Sequence, residues 1–434
     1  EIPQGRNPMR AWTERGLFEL GPKWMRCRAP KGNLGRVPRE RRGGRVMLRA
    51  GLVFSVVLVL AVVGAAWLGP GVLENSINRI TPHDRWVLSP EAKSLHADLV
   101  VGDLHADSLL WDRDLLDRGD RGHVDVPRLL EGNVSIQVFP AVTKAPFGQN
   151  YESNSGDSDM ITILTWIQGW PEVTRTRLKE RALYQAHRLH DVEKRAPGRL
   201  RIVKTRGDLE AVLQARLRGE PLVGGLLATE GSHALDGELG AVVDLHEAGF
   251  RMMGLHHFFD NRLGGSLHGT GKGGLTPFGR DVVREMNQLG IMIDVAHSSP
   301  AVVEEVLEIS EFPVVVSHTG IRSVCDSPRN LEDALVQRIA EQGGLIGVGF
   351  WDGAVCDTTP AGVARAIVRA VELVGPRHVA LGSDWDGGTE VQFDASELPA
   401  LTQALLDQGG EEEIIRAVMG GNLVRYLGEN LPVN

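Results

Sequence analysis

Beyond about Asp98 the chain alternates short apolar, β-branched runs with longer amphipathic stretches. The runs predict strands at Leu99–Leu104, Val134–Phe139, Leu222–Ala228, Arg251–Leu255, Gly290–Val295, Pro313–Ser317, Leu345–Gly349 and Val379–Gly382. Several are apolar at nearly every position, as strands must be when neither face meets water. Helical spacing fills the gaps. Gly279–Leu289 runs into a helix-ending Gly290, and Ala301–Ile309 follows Ser298, Ser299 and Pro300, an N-cap cluster with proline in the first turn. Asn330–Gln342 and Pro360–Leu373 continue the alternation. The longest interruption, 143–200, opens as a polar Gly/Ser-rich loop over Thr143–Asp159 and goes on as helices, where Trp166 and Trp170 at i, i+4 predict helix packing. Eight strands alternating with helices predict an α/β fold, a parallel sheet closed into a (β/α)8 barrel of the TIM type.

The N-terminal part follows a different pattern. Ala50–Leu68 is 19 residues without a charge and without a polar stripe. Spanning a bilayer takes about 20 apolar residues, so this run predicts a transmembrane anchor. Gly64-Ala65-Ala66 resembles a small-residue cleavage site and keeps a signal segment as the alternative. Residues 1–49 carry thirteen Lys/Arg against four acids, a surplus of nine, which leaves the rest of the chain at −18. Positive charge before the run and none just after it predicts a cytoplasmic N-terminus and an exported domain, or a secreted one if the segment is cleaved. The basic segment is Gly/Pro-rich and lacks apolar periodicity, so it reads as disordered. Met9, Met25 and Met47 are candidate starts, and part of this segment would then fall outside the protein. Residues 69–94 read as a linker and 95–434 as the barrel domain.

Composition narrows the chemistry. A domain at −18 is a poor partner for nucleic-acid phosphates. Cys27, Cys325 and Cys356 are too few for a disulfide scaffold and lack the CxxC spacing of a structural zinc site, although a pairing of Cys325 with Cys356 stays open. Any metal must therefore be held by His and carboxylates. Such residues follow six of the eight strands: His105 and Asp107, Glu230, His256 and His257, Asp294 and His297, His318, and Asp384 and Asp386. In a βα barrel those strand ends converge on one mouth, where active sites form. His105 and Asp107 are two apart, so both face one side of an extended segment. A single Asp after a strand is usually a helix N-cap and a single His usually a structural residue, but the repetition points to a metal hydrolase. Imidazole and carboxylate without thiolate suit Zn²⁺, Mn²⁺ or Fe²⁺. His83, His96, His123, His187, His190 and His246 lie away from the mouth and read as surface or structural, while His233 and His268 stay open.

The set DLHAD (103–107), ATEG (228–231), GLHHFFDN (254–261), GLTPFGRDVVREMNQLG (274–290), DVAHSSP (294–300), VVSHTG (315–320), RN (329–330) and GSDWDG (382–387) resembles the membrane dipeptidase family of zinc peptidases, family M19, over about residues 95–430. The resemblance implies two zinc ions per chain. His105 and Asp107 would hold the first, Glu230 would bridge both, and His297 and His318 would complete the second. It implies substrate binding by His257 (the motif's middle residue here is His256) and by Arg329, which would engage the substrate carboxylate. Asp384 would handle the proton, with Asp386 as the alternative. The implied reaction is hydrolysis of a dipeptide with a free C-terminal carboxylate by a hydroxide shared between the ions. Such ions can polarise the scissile carbonyl and lower the pKa of water to about 7. Alternatives are a related amidohydrolase acting on an N-acyl amino acid or lactam, and a non-catalytic binding barrel. Expected partners are dipeptides and, through the anchor, the membrane, with a homodimer as an open assembly.

Overall fold

A computed structural model of the chain describes residues 69–433. The basic segment 1–49 and the apolar run Ala50–Leu68 lie outside the described residues, among which no helix is long and apolar enough to cross a membrane.

Eight strands form a closed parallel barrel: β1 Val101–Asp103, β2 Val134–Val142, β3 Val223–Glu230, β4 Phe250–Gly254, β5 Met292–Asp294, β6 Val315–Thr319, β7 Leu345–Val348 and β8 Val379–Leu381. Each pairs with its neighbours in chain order, and β8 returns to β1 through Leu381 opposite Asp103. The longest register joins β2 to β3, from Ile136 opposite Gly224 to Val142 opposite Glu230. All eight predicted strands are present, but β3 and β6 run further than expected, so Glu230 and His318 lie inside strands rather than after them.

The barrel has apolar layers inside and out, which is why its strands read as continuous apolar runs. Ile136, Val138, Met252, Met292, Val315 and Leu345 pack together inside, where Leu423, Tyr426 and Leu427 of the last helix join them. Val134, Phe139, Met253, Ile293, Val316 and Ile346 face the surrounding helices. The helices start where their caps predict. Ser299 accepts from the Val302 amide before Pro300–Ile309, and Thr359 from the Gly362 amide before Pro360–Val374.

Two regions depart from expectation, and one open pairing is settled. The stretch 69–94, expected as a linker, carries a helix over 69–77 and a strand, Arg79–Ile80, paired with Glu390–Val391. In the 143–200 interruption the helix Met160–Ile167 ends before Trp170, which is buried against the Tyr184 ring. Trp166 is not a packing residue: it is 59% exposed, with the Arg175 guanidinium over its ring. Cys325 and Cys356 form a disulfide, because the β6 and β7 loops bring their Cα atoms to 5.5 Å.

Candidate metal centre

Past β1 the chain stays extended and zips to the tail of β8. The Asp384 amide donates to the His105 carbonyl at 3.2 Å, the Asp107 amide to the Trp385 carbonyl at 2.8 Å, and Ala106 bridges Trp385. This fixes His105 and Asp107 on the mouth side with Ala106 turned away. Glu230 is the last residue of β3, and Gly231 turns the chain at φ 90°, a region that favours glycine. His297, Asp384 and Asp386 take left-handed φ values of 61°, 60° and 63°, strained conformations for non-glycine residues that sharp turns off a strand impose.

These turns aim the donors at one carboxylate. Glu230 Oε1 lies 3.5 Å from His105 Nε2, 3.3 Å from His297 Nε2 and 3.4 Å from His318 Nε2, and Glu230 Oε2 lies 3.4 Å from His257 Nε2. His105 Nε2 is also 3.5 Å from Asp107 Oδ1 and 3.9 Å from Asp384 Oδ1. All are buried, yet His105 Nε2 and Asp107 Oδ1 have no hydrogen-bond partner. An unpartnered buried polar atom is costly, and a cation removes that cost. Donors 2.0–2.1 Å from a tetrahedral zinc stand about 3.4 Å apart, which matches this spacing. Three overlapping groups can hold a metal: His105, Asp107 and Glu230; Glu230, His257 and His297; and His105, His318 and Asp384. Glu230 is common to two of these groups, and so is His105. A Cβ at Gly387 would press on Asp384 Oδ1 and stand 2.9 Å from Asp107 Oδ2, so the glycine keeps the space beside these carboxylates open.

Beneath the donors lies a layer the sequence did not reveal. The Ser317 hydroxyl donates to Asp294 Oδ2 at 2.6 Å, and its oxygen then faces His318 Nδ1 at 2.9 Å and His105 Nδ1 at 3.2 Å. With its proton committed to Asp294, that oxygen can only accept. It therefore holds the proton of both rings on Nδ1 and turns both Nε2 lone pairs toward Glu230. Asp294, met in the sequence as one more strand-end acid, belongs to this layer and not to the donor set.

The other expected residues separate clearly. Arg329 is buried beside the donors: Nη2 donates to the His318 carbonyl at 2.9 Å and lies 3.3 Å from His297 Nε2, and its guanidinium sits over Trp351. His257 faces Glu230, whereas His256 points away to Ser298 Oγ, and burial lowers it to about 4, a neutral structural imidazole. Asp384 faces the donors, and burial, opposed by His105 and reinforced by Asp107 and Glu230, pushes its carboxyl well above the usual range. Asp386, the alternative, points the other way into a cluster with Arg113, Ser108 and the His123 amide. His233 and His268 are buried nearby, against Phe259 and Tyr151, and join none of the donor groups. His96 and His123 are buried structural residues.

Comparison with known proteins agrees with this geometry. The family description "Membrane dipeptidase (Peptidase family M19)" matches residues 90–431. Mouse Dipeptidase 3 is 33% identical over 224 residues, 46% of this chain and 43% of the mouse protein. Dipeptidase aclJ of Aspergillus oryzae is 34% identical over 217 residues, 48% of this chain and 51% of its own. The chain thus spans about half the length of these relatives. Among solved structures, a metallo peptidase from Rhodobacter sphaeroides, liganded with a phosphinate mimic of the dipeptide L-Ala-D-Ala, superposes with a TM-score of 0.64 at 25% identity, covering 77% of this chain and all of that one. With the family pattern matched across most of its length on a closed barrel with a buried His and carboxylate centre, the chain belongs to the membrane dipeptidase family, peptidase family M19.

Proposed function

We propose that this chain is a binuclear zinc dipeptidase acting on dipeptides with a free C-terminal carboxylate. The observation that carries this reading is the convergence of His105, His297 and His318 on Glu230 Oε1 with Arg329 at their side. His105 and Asp107 would hold one ion, His297 and His318 the other, and Glu230 would serve both. Bound there, the ions would supply a Lewis acid for the scissile carbonyl and acidify a water so that a nucleophile exists at neutral pH.

The chain's own residues do the rest. Arg329 offers a planar fork to the substrate carboxylate, which favours dipeptides over longer chains whose terminus lies further away. His257, whose Nδ1 proton points at the Lys144 carbonyl 3.1 Å away, presents Nε2 to the substrate above Glu230. Asp384 is outside the expected ligand set, and as a buried carboxylate facing the donors it suits a group that takes a proton from the attacking water and gives it to the leaving amine. Further support comes from relatives named as dipeptidases and from the dipeptide-mimic ligand of the Rhodobacter sphaeroides enzyme. We place the domain outside the cytoplasm, tethered through Ala50–Leu68. The Cys325–Cys356 disulfide supports that placement, since such bonds persist in oxidising compartments.

The test is a dipeptide panel run with metal analysis on purified protein. Two zinc ions per chain and turnover of free dipeptides but not of C-terminal amides are expected. Glu230→Gln keeps the volume but loses the charge, so it should deplete both ions, whereas His297→Ala should deplete mainly one. One ion per chain in fully active protein would overturn the binuclear reading.

A further inference from the structure

Above the metal centre opens a cavity of about 390 Å³ whose two ends differ in chemistry. Arg329 marks one end, beside His297 and His318. The other end starts on the side of Asp107, which leads directly into the turn Ser108–Leu110. There the wall is Leu110, Val142, Ile161 and Leu164, closed by Leu73 and Ile77 of the 69–77 helix. These side chains form an apolar cluster of their own, separate from the barrel core. Leu110, Val142, Ile161 and Leu164 are buried within it, whereas Phe147 and Ile163 of the same lining are 55% and 49% exposed, apolar surface whose exposure to water alone is unfavourable.

The helix is held firmly in place. Glu74 is buried and pairs with Arg113 Nε at 2.5 Å and Arg121 Nε at 2.7 Å, and Asn78 Oδ1 accepts from the Gly388 amide at 2.8 Å, next to the Asp384 turn. Leu73 and Ile77 precede residues 90–431, so this part of the wall lies outside the stretch that matches the family description, while Leu110, Val142, Ile161 and Leu164 lie within it.

A dipeptide whose carboxylate meets Arg329 and whose scissile carbonyl lies over Glu230 can lay its N-terminal side chain along this wall. We propose that the site selects dipeptides with a large apolar N-terminal residue, and that the 69–77 helix sets this selectivity; this rests on the dipeptidase reading above.

The experiment measures kcat/KM on the full chain for X–Ala with X as Phe, Leu, Ala, Asp or Lys, and for the reversed Ala–X series. Phe–Ala and Leu–Ala should exceed Ala–Ala about tenfold or more, with Asp–Ala and Lys–Ala below it. Leu73→Asp should cut the Phe–Ala to Ala–Ala ratio about tenfold. Ile163→Asp, at a rim position 49% exposed where a charge does not endanger folding, should lower the same ratio by a smaller factor. Turnover of Ala–Ala with a flat ratio across X, an apolar preference confined to Ala–X, or ratios unmoved in both variants overturns this selectivity and leaves the dipeptidase reading standing. No turnover of any dipeptide by metal-loaded protein overturns both.

Discussion

Asp384 and Asp386 are two residues apart and both buried, yet they belong to clusters with opposite charge balance. Around Asp386 every charge has an answer. Arg113 pairs with Asp386 and Glu74, Arg121 with Glu74, and Arg128 with Asp125 and Asp394. Burial there opposes ionisation of Asp386, but Arg113, His123 and the Ser108 hydroxyl outweigh it and hold the carboxyl below its usual range. Around Asp384 three buried carboxylates, with Asp107 and Glu230, face a single guanidinium, Arg329, and ring nitrogens that lack partners. Burial, with Glu230 adding to it, raises Asp107 as well. The first cluster is complete as folded and serves stability. The second is short of positive charge, which is the condition of a site built to receive cations.

Paired substitutions test this contrast. Asp384→Asn preserves shape but cannot carry a proton, and it should lower kcat about 10²–10⁴-fold with zinc content near normal. Loss of zinc in that variant would make Asp384 a ligand, as its grouping with His105 and His318 allows. Asp386→Asn should do the opposite, leaving Arg113 short of a buried partner and costing about 3–5 kcal/mol in denaturant unfolding, with zinc per folded chain unchanged. A large kcat loss in Asp386→Asn at full stability would erase the distinction between the clusters.

The same contrast explains what could be read from the sequence. Strand positions are legible because both faces of each strand are buried, but a run of apolar residues does not mark where a strand stops, so Glu230 and His318 read as lying just past strand ends that they occupy. The donors were legible as strand-end types. The i, i+2 spacing could not separate Asp384 from Asp386, nor adjacency His256 from His257, because left-handed turns and rotamers decide which one faces the mouth. Ser317 carried no signal at all, since a serine between valines and a histidine has many roles. The 69–77 helix directly follows the apolar run Ala50–Leu68, whose length reads as a membrane segment and makes the residues after it read as a linker.

A histidine distant from the mouth sharpens the comparison by titration. His96 is buried, with Nε2–H donating to the Gly132 carbonyl at 3.0 Å and Nδ1 accepting from Thr402 Oγ1 at 2.8 Å, and burial lowers it from 6.5 to about 4. Above 6.5 the ring is neutral folded or unfolded, and stability is full. Between 6.5 and 4 only the unfolded chain takes up the proton, so stability falls by about 3 kcal/mol across that window. The thermal unfolding midpoint should therefore fall less from pH 7 to 4 in His96→Phe than in the natural sequence. Parallel curves would mean that His96 is already accessible to protons.

The smallest expected effect separates the two clusters through their serines. Ser317 locks the tautomers of His105 and His318, which the proposed centre assigns to different ions. The Ser108 hydroxyl donates to Asp386 at 2.6 Å and to none of the donors. Ser317→Ala removes the acceptor for both Nδ1 protons and lets the rings turn, so zinc affinity at both sites should weaken about 10–100-fold in chelator competition. Ser317→Thr keeps the hydroxyl and should restore most of it. Ser108→Ala should leave zinc affinity unchanged and lower only the unfolding midpoint, because it loses one charge-assisted hydrogen bond in the cluster that already balances its charges. Equal zinc affinity in Ser317→Ala and Ser108→Ala would mean that the rings are held by packing alone and that the layer beneath the donors does not tune the metals.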